Sequence, residues 1–148
     1  MIARVKYVSR FSRPMSQREI EAIVARAQEH NARIGVTGVL LALGEVFMQI
    51  IEGPAHQVDS LLARIGRDRR HCDVVIVRRQ DVEQPLFAGW SMRLLELGED
   101  ARREAQPLLD LVREVAEGGA VAKTALHELD DLVWRTMNDR VATLRRTG

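Results

Sequence analysis

A chain of 148 residues, 46% apolar and 29% charged, can bury the core of one domain and carry one or two additional elements. A net charge of +1 gives no bulk electrostatic case for a nucleic-acid partner or an anionic membrane. The single cysteine, Cys72, excludes an internal disulfide and fits a reducing cytosol, and no apolar run approaches the ~20 residues of a spanning helix.

The N-terminal residues have no continuous apolar signal core and read as a strand instead. Ile2–Ser9 alternates, with Ala3, Val5, Tyr7 and Ser9 on the less charged face. On residue type alone, Tyr7 is a core-edge tyrosine bonded to a backbone carbonyl. Ser16-Gln17-Arg18-Glu19 is a capping box, and Ile20, Ile23, Val24 and Ala27 follow as one apolar helical stripe. This helix is expected to run out near His30-Asn31, with Asn31 as a left-handed cap.

Val36–Leu43 and Val46–Glu52 then form a hairpin about Gly44-Glu45, a pair suited to a type II′ turn. Gln49 interrupts the apolar second strand and shares a face with Phe47 and Ile51. A buried amide without partners costs ~1–3 kcal/mol, so Gln49 lies near an edge or bonds to something inside. Pro54 can open a second helix, whose stripe is Val58, Leu61, Leu62 and Ile65, with Glu52 as a charge at its N-terminus. The charged run Arg67–His71 reads as a solvated turn. Asp73–Arg79 is a fourth strand and Asp81–Pro85 a turn. Phe87–Leu95 is expected as a fifth strand with Ala88, Trp90, Met92 and Leu94 on one face. Core packing is the plain role for Trp90 and Met92 at that spacing.

The order β-α-β-β-α-β with one further strand implies an α+β, ferredoxin-like sheet with two helices on one face. The hairpin is apolar on both faces, so the second face needs a cover. Residues 98–148 supply the candidate. They offer a short helix over Pro107–Val115, a break at Gly118-Gly119, and a second helix carrying Leu126, Leu129, Val133, Met137, Val141 and Leu144. These helices are expected to cap the open face and to self-associate into a homodimer or higher homo-oligomer.

The order and spacing of five pieces carry a resemblance: Tyr7-x-Ser9; Asn31 ahead of Val36-Thr37-Gly38; Phe47-x-Gln49-x-x-Glu52-Gly53; Asp68-x-Arg70-His71; and Phe87-x-x-Trp90-Ser91-Met92. Together they resemble the BLUF family, bacterial sensors of blue light using flavin, over residues 1–97, and 98–148 resembles the two-helix extension of its short, stand-alone members. The resemblance implies a flavin, FAD with FMN as the other candidate, held non-covalently between the two helices. Ile23 and Ile65 would sandwich its ring, Asn31 would bond the pyrimidine edge, and Phe47, Arg64 and Asp68 would lie beside it. Arg70 and His71 would reach the same end or the ribityl chain. It also implies photochemistry with Tyr7 as electron and proton donor and Gln49 as a switched hydrogen-bonding amide. The signal would pass through Trp90 and Met92 to the C-terminal helices and a downstream protein partner. The spacing leaves open which of Trp90 and Met92 lies inward.

Two other function classes compete. An enzyme would need convergent groups, but His30, His56, His71 and His127 are scattered without ligand spacing, so catalysis is not expected. A light-independent ferredoxin-like regulatory or oligomerisation module would use the same residues as plain core.

Overall fold

The computed structural model describes residues 1–43, 46–95, 110 and 122–147. Its elements are β1 (Ile2–Phe11), α1 (Gln17–Ile34), β2 (Thr37–Leu43), β3 (Val46–Gly53), α2 (Ala55–Arg67), β4 (His71–Val82), β5 (Arg93–Leu95) and α3 (Ala122–Thr147). The strands form one sheet in the order β4-β1-β3-β2-β5. This is the expected ferredoxin-like α+β arrangement, and β1 and β3 are its central antiparallel pair.

The two helical stripes account for the packing. Ile20 and Val24 of α1 and Val58 of α2 are buried in one cluster with Ala3, Val5, Tyr7, Phe11, Phe47 and Ile51 of the sheet. Ile23, Ala27, Leu61, Leu62 and Ile65 pack against that cluster from the flanks. Both helices therefore cover the sheet face that carries Tyr7 and Gln49. The alternate strand residues Val8, Val39, Leu41, Met48 and Ile50 are also buried, so the central strands bury apolar side chains on both faces.

The chain divides into two compact units, Met1–Leu94 and Leu95–Gly148. In the second, α3 buries Val133, Met137 and Val141, three members of the expected stripe at helical spacing. The expected helix over 107–115 and the Gly44-Glu45 turn lie outside the described residues.

Several expected boundaries are corrected. The α1 helix does not end at Asn31 but runs on to Ile34. Its left-handed cap is Gly35 (φ 71°), whose N–H donates to the Asn31 carbonyl. Glycine takes that conformation without the Cβ penalty an asparagine would meet. β1 and β4 are longer than their alternating cores suggest, because Phe11 and His71 still pair across them.

The expected fifth strand over 87–95 is the largest change, since only Arg93–Leu95 is strand. The N–H groups of Leu86 and Phe87 donate to the Glu52 carboxylate, at 2.8 and 3.0 Å, so they do not join a ladder at that point. Gly89 then turns the chain at φ 85°, and Trp90 N–H closes the turn on the Phe87 carbonyl. Trp90 and Met92 therefore do not share a strand face. Glu52 is likewise not a helix-terminal charge. It is 1% exposed and its Oε2 accepts from Arg4 Nε at 2.7 Å.

Candidate functional site: a cavity between the two helices and the sheet

Tyr7 and Gln49 are direct cross-strand partners on β1 and β3. Strand alternation sends both side chains toward the helices. There they meet a cavity of about 270 Å³ whose wall includes Tyr7, Phe47 and Gln49 from the sheet and Met92 from the segment before β5. Ile23 lines it from α1 and Ile65 from α2, so each helix contributes an apolar side chain to the wall. The volume is just under the ~300–1,000 Å³ usual for small-molecule sites.

All the residues singled out for ligand contact are brought together here: Tyr7, Ile23, Asn31, Phe47, Gln49, Arg64, Ile65, Asp68, Arg70 and His71 all line the cavity. Of the two relay candidates, Met92 lines it at 3% exposure, whereas Trp90 is half-buried and off its wall. Trp90 lies near Phe87 with ring centroids 6.3 Å apart, and the Arg93 guanidinium sits 5.7 Å from its ring. A cation at that range favours an indole face.

The polar groups on the wall are open to a partner. Tyr7 is 2% exposed and Gln49 9%, yet among the described residues neither the phenol nor the side-chain amide makes a hydrogen bond. Ser9 Oγ and His71 Nδ1 are also buried without a partner among those residues. Buried polar atoms are normally satisfied, so these two atoms, beside the unbonded Tyr7 and Gln49 side chains, fit a ligand that carries both donors and acceptors. A flat ring with apolar faces and a polar edge meets this set, as a flavin ring does.

The electrostatics follow from burial and one ion pair. Burial pushes the Tyr7 phenol far above its ordinary range, so it is neutral at any physiological pH. Hydrogen bonds from Arg70 hold the Asp68 carboxyl down at about 2, with Nη2 to Oδ2 at 2.6 Å and Nε to Oδ1 at 3.0 Å. Burial lowers the His71 imidazole, while Asp68 pulls it the other way. His71 also packs on Phe11 at 4.4 Å, and Phe11 on Phe47 at 4.3 Å. The exposed Arg26 and Arg64 also line the cavity, and Arg64 Nη1 is 2.6 Å from His30 Nε2. With Asp68 engaged by Arg70, the charged lining is net positive and suits an anionic tail.

Some site residues had no reading in the sequence. Phe11 falls beyond the alternation that marks β1. His30 was one of four scattered histidines. Gln28 carried no signal, yet its Nε2 donates to the Met92 carbonyl at 2.8 Å. Asn31, expected as a cap, is 1% exposed and its Nδ2 donates to the Ser91 carbonyl at 2.8 Å. The position of Asn31 next to the cavity was legible, but its hold on the segment before β5 was not.

Among the described residues, no three His, Cys, Asp or Glu side chains gather as a metal site. No helix among them is long and apolar enough to cross a membrane.

Comparison with known proteins agrees with this geometry. The profile of the family described as BLUF, sensors of blue-light using FAD, matches residues 2–93. The photoactivated adenylate cyclase subunit beta of Euglena longa is 32% identical over 117 residues, which is 78% of this chain and 13% of that protein. The chain thus spans about an eighth of the curated relatives' length. A bacterial light-regulated adenylyl cyclase structure superposes with a TM-score of 0.65 at 32% identity, covering 79% of this chain and 34% of the other. Klebsiella pneumoniae BlrP1, in a structure with FMN and cyclic diGMP, gives a TM-score of 0.61 at 34% identity, over 70% of this chain and 29% of its own. The photo-activated state of BlsA, 22% identical, shares the fold over 87% of this chain and 94% of its own, with a TM-score of 0.62.

Proposed function

This chain belongs to the BLUF family of blue-light flavin sensors, and we propose that residues 1–97 are the sensor while 98–148 form a two-helix cap and output segment. The observation that carries the proposal is the Tyr7–Gln49 pair. These two polar side chains stand opposite each other on the central strands, face the cavity, and lack partners among the described residues.

A bound flavin supplies blue absorption and a strongly oxidising excited state. Ile23 and Ile65 would hold the ring from its two faces. Asn31 would bond its polar edge, Phe47 would pack beside it, and Arg64, Asp68, Arg70 and His71 would hold its polar atoms or the ribityl chain. The net positive lining supports a phosphate-bearing tail. FAD is the proposed species and FMN its alternative. The family description names FAD and the BlrP1 structure contains FMN.

Tyr7 is the electron and proton donor. Its burial supports this role, since the phenol enters the cycle fully protonated. Gln49 is the switch. An amide has a donor end and an acceptor end, so it can bridge the phenol on one side and a ligand edge on the other. Once the Tyr7 proton had moved and returned, the Gln49 amide would be left rearranged, with its donor and acceptor ends exchanged toward the ligand. No substrate is consumed, and the product is a hydrogen-bond network that relaxes in the dark. The signal leaves through Met92, Trp90 and the β5 strand to the C-terminal helices of a homo-oligomer and on to a protein partner.

The test is an absorption spectrum of the purified protein before and after blue light. Gln49→Leu should keep the yellow colour and lose the light-induced red shift. Tyr7→Phe should do the same, because the donor hydroxyl is gone. A red shift that survives in both variants would overturn the roles given to this pair. The released cofactor, separated by chromatography, distinguishes FAD from FMN.

A further inference from the structure

The mechanism makes no use of the Arg4–Glu52 pair. Both residues sit on the central strands as cross-strand partners, and Glu52 is 1% exposed. A buried carboxylate is costly unless charge and hydrogen bonds compensate it. Here Oε2 accepts from Arg4 Nε at 2.7 Å, while Oε1 accepts from the N–H groups of Leu86 at 2.8 Å and Phe87 at 3.0 Å. Arg4 Nη2 also reaches the Gln84 carbonyl at 3.4 Å. One ion pair therefore engages three backbone groups of a single segment.

The other end of that segment is tied down from elsewhere. Gly38 N–H donates to the Trp90 carbonyl at 2.8 Å. Asn31 and Gln28 of α1 donate to the carbonyls of Ser91 and Met92. Strand alternation points Glu52 to the face opposite Gln49. The segment 84–92 thus has one anchor on the far face of the sheet and others on the β2 edge and on the helix beside the cavity. Its last residue, Met92, is the one that packs into the cavity wall with Tyr7 and Gln49.

We propose that Glu52, held by Arg4, is a positioning residue of the sensor: it fixes the base of segment 84–92, keeps Met92 against Tyr7 and Gln49, and thereby sets how long the lit state lasts. Without the anchor the base of the segment loosens, Met92 packs less closely against the wall, and water reaches the switched amide more often. Water offers that amide alternative partners, and the dark state returns sooner. The lifetime readout rests on the photosensor reading, whereas the anchor itself does not.

The experiment compares two double variants of the full, flavin-loaded chain. Arg4→Met with Glu52→Gln removes both charges but keeps a carbonyl oxygen for the Leu86 and Phe87 amides. Arg4→Met with Glu52→Leu removes that oxygen as well. Both should still shift to the red under blue light. The Leu variant should recover in the dark about five-fold faster or more than the Gln variant, the scale expected when hydrogen bonds to one acceptor are lost. Equal recovery in the two would overturn the proposal. If the Leu variant does not hold flavin, hydrogen exchange on the unmodified protein decides. The Leu86 and Phe87 amides should be among the slowest of segment 84–92, in the dark and under light. Exchange there as fast as at Ala88 and Gly89 would overturn the proposal. If the unmodified protein shows no red shift, the photosensor reading fails, while the dark exchange pattern still judges the anchor.

Discussion

At the scale of single residues, the site depends on two polar side chains whose environment differs from what their local sequence suggests. Tyr7 was legible as half-buried and Gln49 as out of place in an apolar strand. Their pairing across β1 and β3 follows from strand register, and alternation alone sets the face. Burial raises the Tyr7 phenol above the ordinary value of about 10. The neutral phenol is favoured in the folded chain, so this contribution to stability is complete below pH 10 and is lost as pH rises through the folded value. The light-induced red shift should accordingly keep its amplitude between pH 7 and 10.5. A loss with a midpoint near 10, followed in difference spectra across that range, would mean that Tyr7 titrates as an exposed phenol. Asn31 and Glu52 were misread for a common reason. Each has an adequate local role, as a helix cap or a helix-terminal charge, while its actual partners are 34–60 residues away. Nothing in a local pattern reports a contact at that separation.

At the scale of elements, the two helices could be read almost completely from their stripes, because a 3.6-residue period forces one face to be apolar. The fifth strand could not. Ala88, Trp90, Met92 and Leu94 alternate as a strand would, but the Leu86 and Phe87 N–H groups are bound by Glu52 and Gly89 takes a left-handed turn. Two predictions belong here. Gly38 lies against β3 so closely that a Cβ would collide with the Ile50 carbonyl. Gly38→Ala should therefore lower stability by about 1–3 kcal/mol, as overpacking does, seen as a lower urea midpoint with unchanged slope. An unchanged midpoint would mean that β2 shifts freely at that point. Met92→Ala should leave the red shift intact but uncouple it from α3, so light should no longer alter hydrogen exchange over 122–147. A light response there equal to that of the unmodified chain would remove Met92 from the relay.

At the scale of the whole molecule, the order of elements up to β5 was legible, and with it the face on which both helices lie. The cavity was legible only through the family resemblance, since Ile23 and Ile65 are ordinary stripe residues until the sheet and two helices bring them together with Gln49. The cyclase relatives carry a matching stretch within much longer chains. The proposed output is a change in residues 98–148 that a protein partner reads. All of it requires that light changes a bound flavin's surroundings through Tyr7 and Gln49. The most direct measurement is the absorption of the purified protein in the dark, after blue light, and again after dark recovery. The expected result is a yellow protein whose flavin band moves to the red and returns. A colourless protein that takes up no added flavin, or a flavin-loaded one whose band does not move, would contradict it.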